Sequence, residues 1–368
     1  MDSRSGSQAS EGLLAGAPVW DSDADDILVC RAVRVETPDV KTFVLGAREP
    51  RRFAYKPGQF LTFELNIDGQ IIHRCYTISA APTRPNAVSI TVKRVPGGPA
   101  SNWLHDNLKP GSTLKAVGPM GEFTHVEHPS DKYLFLSGGS GITPSMSMAR
   151  TIHDLAEPGD VAFVHSARSP EDIIFRAELE LMARHNPRFR FVPVCEGDSA
   201  AEAWSGFKGR LSLPMLELAV PDFRDREVFV CGPSPYMAAV REMLRGAGYD
   251  MARYHEESFN FEELPLAEQE AVIEAEEAAA EKVYRVEFAK TRRVIECPEG
   301  TTVLEAARRA GLRLPSSCTK GVCGTCKSRL ISGAVDMKPA GGIRPREIEA
   351  GMRLLCCSKP MSDLVVDR

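Results

Sequence analysis

The chain has 368 residues, of which 43% are hydrophobic and 26% charged, with ten cysteines and a formal net charge of −5. Those proportions are ordinary for a globular protein, and the length leaves room for two or three domains. No apolar run reaches the ~20 residues of a transmembrane helix and no signal-peptide core stands at the start, so we expect a cytoplasmic protein with reduced thiols and no membrane or nucleic-acid partner. The charge is uneven. Residues 283–368 hold 16 Lys and Arg against 9 Asp and Glu, a balance of +7, which leaves −12 on the remainder. Opposite signs on two parts of one chain suggest separate domains.

Residues 1–25 are rich in Ser, Gly, Ala and Asp and read as a disordered tail. From 26 to 128 short strands are predicted over 27–35, 41–45, 59–65, 71–79, 88–95 and 113–116, with a helix over 101–108. Turn signals such as Lys56-Pro57-Gly58 and Lys109-Pro110-Gly111-Ser112 separate them. Six strands at this spacing suggest a small antiparallel β-barrel. From 129 to 260 the rhythm becomes strand–helix–strand. Apolar strands are predicted at 133–136, 161–165, 189–194 and 227–231, and helices at 144–155, 170–185 and 233–246. This alternation reads as an α/β doubly wound parallel sheet. Residues 261–282 are Glu- and Ala-rich without an apolar face and read as an acidic, partly helical linker. In 283–368 a hairpin is predicted over 283–289 and 293–297, then a helix over 302–310.

After that helix come Cys318, Cys323 and Cys326, spaced C-x₄-C-x₂-C, with Cys356 thirty residues on. This is the plant-type ferredoxin ligand pattern for a [2Fe–2S] cluster, three thiolates from one loop and one from a distant strand. Zinc sites favour paired C-x₂-C units, and only one such unit is present. Gly321 and Gly324 allow backbone N–H groups close to the sulfurs. Cys357 competes with Cys356 for the fourth place. The run Cys356-Cys357-Ser358-Lys359-Pro360 resembles plant-type ferredoxins, whose ligand precedes a proline by four residues. That resemblance selects Cys356, leaves Cys357 facing the other side of its strand, and implies an α+β β-grasp ferredoxin domain over 283–368.

Two further segments carry a resemblance to the ferredoxin–NADP reductase superfamily. Arg74-Cys75-Tyr76-Thr77 matches its flavin motif R-x-Y-[ST], and alternation puts Arg74 and Tyr76 on one face with Thr77 on the other. The resemblance implies that Tyr76 stacks on the flavin ring, Thr77 hydrogen-bonds near its reactive nitrogen, and Arg74 pairs with its phosphate. Gly97-Gly98-Pro99-Ala100-Ser101 then offers an anion site, with Gly98 before a helix that Ser101 opens. Gly118-Pro119-Met120-Gly121-Glu122-Phe123 also matches. Leu136-Ser137-Gly138-Gly139-Ser140-Gly141-Ile142-Thr143-Pro144 has the parts of a phosphate cradle. Gly138, Gly139 and Gly141 permit close approach, and Thr143 with Pro144 starts a helix as N-cap and first residue. The superfamily carries the same G-G-x-G-I-T-P, with Cys231-Gly232-Pro233 after its last parallel strand and a terminal E-x-F, here Glu257-Ser258-Phe259. The resemblance places Cys231, Gly232, Pro233, Glu257 and Phe259 at the nicotinamide and flavin. Arg168 lies where the 2′-phosphate of NADPH would, but Ser169-Pro170-Glu171-Asp172 is also a capping box, so the choice between NADH and NADPH stays open.

The order of a flavin barrel (26–128), a nucleotide domain (129–260) and a ferredoxin (283–368) resembles the reductase components of two-component oxygenases. Tyr254-His255-Glu256-Glu257-Ser258-Phe259-Asn260-Phe261 and Leu354-Leu355-Cys356-Cys357-Ser358-Lys359-Pro360 resemble the glycine betaine monooxygenase reductases and related quaternary-amine demethylase reductases. The resemblance implies FAD rather than FMN, a nicotinamide donor, and a Rieske-type terminal oxygenase subunit as acceptor. A hybrid-cluster or di-iron protein as acceptor, and a redox sensor, are the alternatives.

Overall fold

The computed structural model describes residues 16–258, 282–312, 314, 321, 324, 326–339, 342–343 and 345–368. The chain parts into two compact units after residue 259. The acidic linker lies outside the described residues apart from Lys282, as do Phe259, Cys318 and Cys323. Of the expected tail, the part from residue 16 is described, and it differs from the expectation. Trp20 is buried against Phe53, and its backbone N–H donates to the Arg52 carbonyl at 2.8 Å. A large aromatic ring finds apolar surface at the barrel, which composition alone did not signal.

The first unit begins with six antiparallel strands, β1 (Ile27–Thr37), β2 (Val40–Ala47), β3 (Phe60–Ile67), β4 (Gln70–Thr77), β5 (Val88–Lys93) and β6 (Thr113–Met120), ordered β4-β3-β6-β1-β2-β5. A bridge between Ile78 and Ile90 joins the two outer strands and closes the barrel. Alternate residues point inward, and Leu28, Phe43, Leu45, Leu61, Phe63 and Ile90 are fully buried. Each is worth about 1.5–3 kcal/mol of transfer free energy. Helix α1 (Pro99–Asn107) covers the barrel through Ala100 and Leu104.

The parallel sheet comprises β7 (Lys132–Gly138), β8 (Asp160–Ala167), β9 (Phe189–Cys195), β10 (Phe207–Lys208), β11 (Glu227–Gly232) and β12 (Tyr254–Ser258), ordered β10-β9-β8-β7-β11-β12. The central strands β7, β8 and β11 are buried on both faces, which explains their nearly unbroken apolar character. Tyr133, Phe135, Val161, Phe163 and Phe229 pack with α2 (Ile142–Asp154) and α3 (Arg176–His185). Leu134, Leu136, Ala162, Val164, Val228 and Val230 pack with α4 (Leu213–Ala219) and α5 (Ser234–Gly246). Strand order reverses beside β7, and an open α/β sheet takes its ligand at the carboxyl ends of such strands.

The second unit pairs β13 (Val283–Phe288) with β14 (Arg293–Pro298) as the expected hairpin. Its sheet continues through β17 (Leu364–Val366), β15 (Lys327–Ser332) and β16 (Met352–Leu354). Helix α6 (Val303–Arg309) is capped by Thr302, whose hydroxyl accepts from the Glu305 N–H, and buries Val303, Leu304, Ala306 and Ala307. Among the described residues no helix is long and apolar enough to cross a membrane.

Candidate flavin, nucleotide and cluster sites

Strand β4 presents the first group. Thr77 is buried, and its hydroxyl has no hydrogen-bond partner within the protein. A buried hydroxyl left bare is costly unless a ligand or water meets it, so this atom suits a flavin heteroatom. Tyr76 lies 6.1 Å from the Phe63 ring, and burial pushes its phenol pKa up, so it stays neutral. Arg74 is half-buried and donates through Nη1 to the His73 carbonyl at 2.9 Å.

Helix α1 corrects one expectation. Gly98 is its N-cap and Pro99 its first residue, so Ser101 lies inside the first turn rather than opening the helix. The Ser101 hydroxyl accepts from the Val95 N–H at 3.1 Å and donates to the Gly98 carbonyl at 3.3 Å. Ser101 therefore knits the Gly97-Gly98 loop to the barrel.

At the carboxyl ends of the parallel strands, register places Ser137, Cys231 and Glu257 side by side across β7, β11 and β12. Cys231 is fully buried; desolvation, with the Glu257 charge, holds its thiol well above the usual range. Burial alone raises the Glu257 carboxyl to about 8, and its Oε2 has no protein partner. Ser137 Oγ lies 2.8 Å from Nδ1 of His165, a fully buried histidine whose Nε2 is also unpartnered. Gly141 is required by close packing: a Cβ there would stand 2.4 Å from the Cys231 carbonyl oxygen. Gly138 and Gly232 lie against the Tyr236 ring, where added Cβ atoms would come within 3.1 and 2.8 Å. Gly139 has φ +53 and open space where a side chain would go. Pro233 caps α5.

The helix after this loop begins earlier than the sequence suggested. A 3-10 turn over Gly139–Gly141 runs into α2, Gly141 is the N-cap, and Thr143 is the second helical residue, its hydroxyl donating to the Ser140 carbonyl at 3.3 Å. The glycine run can curl directly into helix without a capping side chain. The expected helix over 170–185 is likewise divided. Pro170–Asp172 is a 3-10 turn, Phe175 takes a left-handed conformation (φ 58), and α3 starts at Arg176. Ser169 therefore caps no α-helix; its hydroxyl donates to Asp172 Oδ2 at 2.8 Å. Arg168 donates through Nη2 to Asp39 of the barrel at 2.9 Å and to Asp172 at 2.5 Å.

Sequence reasoning missed Arg150. It is buried on α2, donates to the Ser79 carbonyl just beyond β4 at 2.5 Å, and grips Glu178 through Nε and Nη2 at 2.8 and 2.6 Å. Ser147 on the same helix donates to the Ala80 carbonyl at 2.6 Å. The helix that follows the glycine loop is thereby tied to the strand that carries Tyr76 and Thr77. An arginine within a helical Met-Ala-Arg-Thr-Ile run, three residues after Ser147, was the available signal.

In the second unit, Cys326 and Cys356 are buried and adjacent, with the Cys356 N–H donating to Cys326 Sγ at 3.4 Å. The Gly321 N–H donates to Cys356 Sγ at 3.2 Å, the close backbone approach that glycine was expected to allow. Gly324 has φ +74, and a Cβ there would meet the Gly342 carbonyl at 2.8 Å. Residues Leu355–Cys357 form a 3-10 turn, not a strand, so the two cysteines do not face opposite sides of a sheet as expected. Cys357 Sγ instead turns to the Leu354 carbonyl at 3.7 Å. Two buried sulfurs with backbone N–H groups aimed at them suit thiolate ligands of a cluster.

Comparison with known proteins agrees with this layout. An oxidoreductase FAD-binding domain matches residues 29–125, an oxidoreductase NAD-binding domain 135–242, and a 2Fe-2S iron-sulfur cluster binding domain 286–361. The glycine betaine monooxygenase reductase subunit of Pseudomonas aeruginosa is 49% identical over 92% of this chain and 94% of its own. The stachydrine N-demethylase reductase subunit of Rhizobium meliloti is 43% identical over 94% of this chain and 97% of its own. Among solved structures, phthalate dioxygenase reductase covers 95% of this chain and 100% of its own with a TM-score of 0.56; at 23% identity the likeness is one of fold. The chain belongs to the family of the glycine betaine monooxygenase reductase subunits, oxidoreductases that join an FAD-binding barrel, a nicotinamide-binding α/β domain and a [2Fe–2S] ferredoxin domain in one polypeptide.

Proposed function

We propose that the protein takes reducing equivalents from NADH and delivers them singly to a Rieske-type terminal oxygenase that demethylates glycine betaine or a related quaternary amine. The near full-length identity of 49% to a glycine betaine monooxygenase reductase subunit carries this reading. Its place is the cytoplasm, where ligand thiols stay reduced. The bound flavin supplies the conversion of a two-electron hydride to one-electron transfer, and the cluster supplies a one-electron relay.

The chain's own part is to bind and orient. The bare Thr77 hydroxyl and the Tyr76 ring hold the flavin, with Arg74 on its phosphate. The Gly138–Gly141 turn receives the dinucleotide phosphates through its N–H groups. Buried Cys231 and half-buried Glu257 keep water from the place where the nicotinamide meets the flavin. Arg150 holds these two pieces in register. Cys318, Cys323, Cys326 and Cys356 are the proposed cluster ligands. Cys356→Ser is expected to abolish the cluster's absorbance while NADH still reduces ferricyanide, and Cys357→Ser to keep both.

The test of the whole reading is reconstitution with the oxygenase subunit and glycine betaine. Betaine-dependent NADH oxidation with release of formaldehyde is expected. Fast ferricyanide reduction without transfer to any quaternary-amine oxygenase would overturn the acceptor assignment while leaving the reductase chemistry intact.

A further inference from the structure

The Tyr254-His255-Glu256-Glu257 run contains a histidine for which the electron route has no use. His255 lies on β12 near the amino end of the parallel sheet, away from the glycine turn. Its Nε2 is 2.6 Å from Glu227 Oε1, and Glu227 opens the neighbouring strand β11. A second ring, His128, stacks on it with centroids 3.7 Å apart and planes 27° from parallel. Residue 128 ends the 3-10 turn His125–Glu127, where its N–H donates to the His125 carbonyl at 3.0 Å, so the main chain that carries the ring is fixed. Both imidazoles lie against Phe229, at 6.0 and 4.8 Å. One donor atom from each of His128, Glu227 and His255 lies within 4.8 Å of the other two. A cavity of about 240 Å³, lined by Glu122, Phe123, Thr124, His128, Phe229 and His255 among others, reaches the group.

Two imidazoles and one carboxylate form a borderline donor set. It suits zinc, cobalt or nickel and disfavours magnesium and calcium, which need oxygen ligands. At metal–ligand distances of about 2.0–2.2 Å, tetrahedral donors stand roughly 3.4 Å apart. The half-buried side chains here would close by about an ångström, with one imidazole turning out of the stack so that its in-plane nitrogen lone pair meets the ion, and the cavity leaves the fourth position to water. The Glu227 Oε2 atom already accepts from Arg253 Nε at 3.2 Å, so a cation would take Oε1, with Arg253 supporting the carboxylate from outside. The hydrogen now shared between His255 and Glu227 would leave for the other ring nitrogen or for solvent. We propose that His128, Glu227 and His255 bind one divalent cation of the zinc class, fastening the segment that leaves the barrel to edge strand β12. The bland reading is an ion-paired cluster in which Arg253 and His255 neutralise Glu227 and no metal enters.

The two readings separate in the full-length holoprotein. Oxidised flavin and oxidised [2Fe–2S] clusters give no EPR signal, so added Co²⁺ reports alone. We expect one high-spin Co²⁺ per chain, displaced by Zn²⁺, with iron content unchanged. His128→Ala and His255→Gln should each weaken uptake at least tenfold. Zn²⁺ should raise the temperature of flavin release in the wild type but not in either variant. Flavin content and ferricyanide turnover, which neither histidine touches, establish that the variants are folded. Equal Co²⁺ uptake by wild type and both variants would overturn the proposal, as would uptake that follows iron loss, since the cation would then be on the cluster thiolates.

Discussion

The two ends of the parallel sheet treat buried polar groups in opposite ways. At the amino end Arg226 is only 1% exposed, yet its donors are used. Nε and Nη2 each donate to an Asp222 oxygen at 3.0 Å, and Nη1 reaches the Tyr133 carbonyl at 3.1 Å and Asp160 Oδ1 at 2.6 Å. Burial pushes the Asp222 carboxyl up, but Arg226 and Lys132 outweigh it and hold the pKa at about 2. At the carboxyl end His165 Nε2 and Glu257 Oε2 are buried without protein partners. A fold seldom leaves buried polar atoms bare, so unmet groups collected at the switch point of a doubly wound sheet are the mark of a ligand site. The satisfied Arg226 network holds the domain together; the unmet groups at the carboxyl end are where we propose that the nucleotide binds.

The largest effect should come from breaking the satisfied end. Arg226→Met leaves Asp160 without its cation and Asp222 with Lys132 alone, removes the donor to the Tyr133 and Asp160 carbonyls, and should cost about 3–5 kcal/mol of folding free energy. Urea unfolding measures that cost, and ferricyanide turnover per folded molecule should not change. A variant as stable as wild type would mean that the network is energetically neutral. The matching change at the open end is Gly141→Ala. The added Cβ would stand 2.4 Å from the Cys231 carbonyl, so the glycine turn must move away from β11. Displacing a substrate cradle by about an ångström costs on the order of 10²-fold in rate. NADH-dependent flavin reduction by stopped flow should show that loss, with flavin content retained.

The same contrast explains what could be read from the sequence. Periodicity found every long strand of both sheets of the first unit because one or both faces are apolar, as in Leu134-Phe135-Leu136. Glycine-rich runs and cysteine spacing marked the loops where we propose the ligands bind, because close backbone approach leaves a local signature. Strand β12 was not legible as a strand. Tyr-His-Glu-Glu-Ser has no apolar alternation, and it is an edge strand fixed by its pairing to β11. The start of α2 was misplaced because a capping rule favoured Thr143, while the glycine turn supplies its own curl. Arg150, Arg226 and the His128–His255 stack are contacts between segments far apart in sequence, and no local pattern encodes a partner 71 or 93 residues away.

A smaller effect separates the ends by pH. Desolvation lowers the His165 pKa from 6.5 to about 3, against the opposing contact with Ser137. The folded state thus keeps this ring neutral while the unfolded chain protonates it near 6.5. Its contribution to stability is complete above that pH and is lost as the pH falls toward 3, at about 1.4 kcal/mol per pH unit. Urea midpoints at successive pH values down to about 5 should decline in the wild type and decline less in His165→Gln. A parallel decline in both would assign the acid sensitivity elsewhere, for instance to buried His125, also lowered, to about 4.

The smallest expected effect concerns the nucleotide itself. Arg168 would be the natural partner of a 2′-phosphate, but its Nη2 is held by Asp39 at 2.9 Å and Asp172 at 2.5 Å, and the Ser169 hydroxyl is spent on Asp172 as well. Lys93 also pairs with Asp39, at 3.3 Å, so the local cations are already balanced by carboxylates. A phosphate dianion arriving here would meet two negative groups, whereas the free hydroxyl of NADH carries no charge to repel. NADH should therefore be preferred. Asp172→Ala should lower the KM for NADPH about two- to fivefold and leave NADH nearly unchanged, because Arg168 is 58% exposed and exposed ion pairs exchange only about 0.2–1 kcal/mol. Asp39→Ala should act in the same direction from the barrel side. Steady-state kcat/KM for both nucleotides decides the matter; a wild type that prefers NADPH, or an Asp172→Ala variant with an unchanged ratio, would remove Arg168 and its two carboxylates from the selectivity account. The barrel supplies one carboxylate and the α/β domain the other, so the preference would rest on charge balance across a domain junction rather than on any single binding residue.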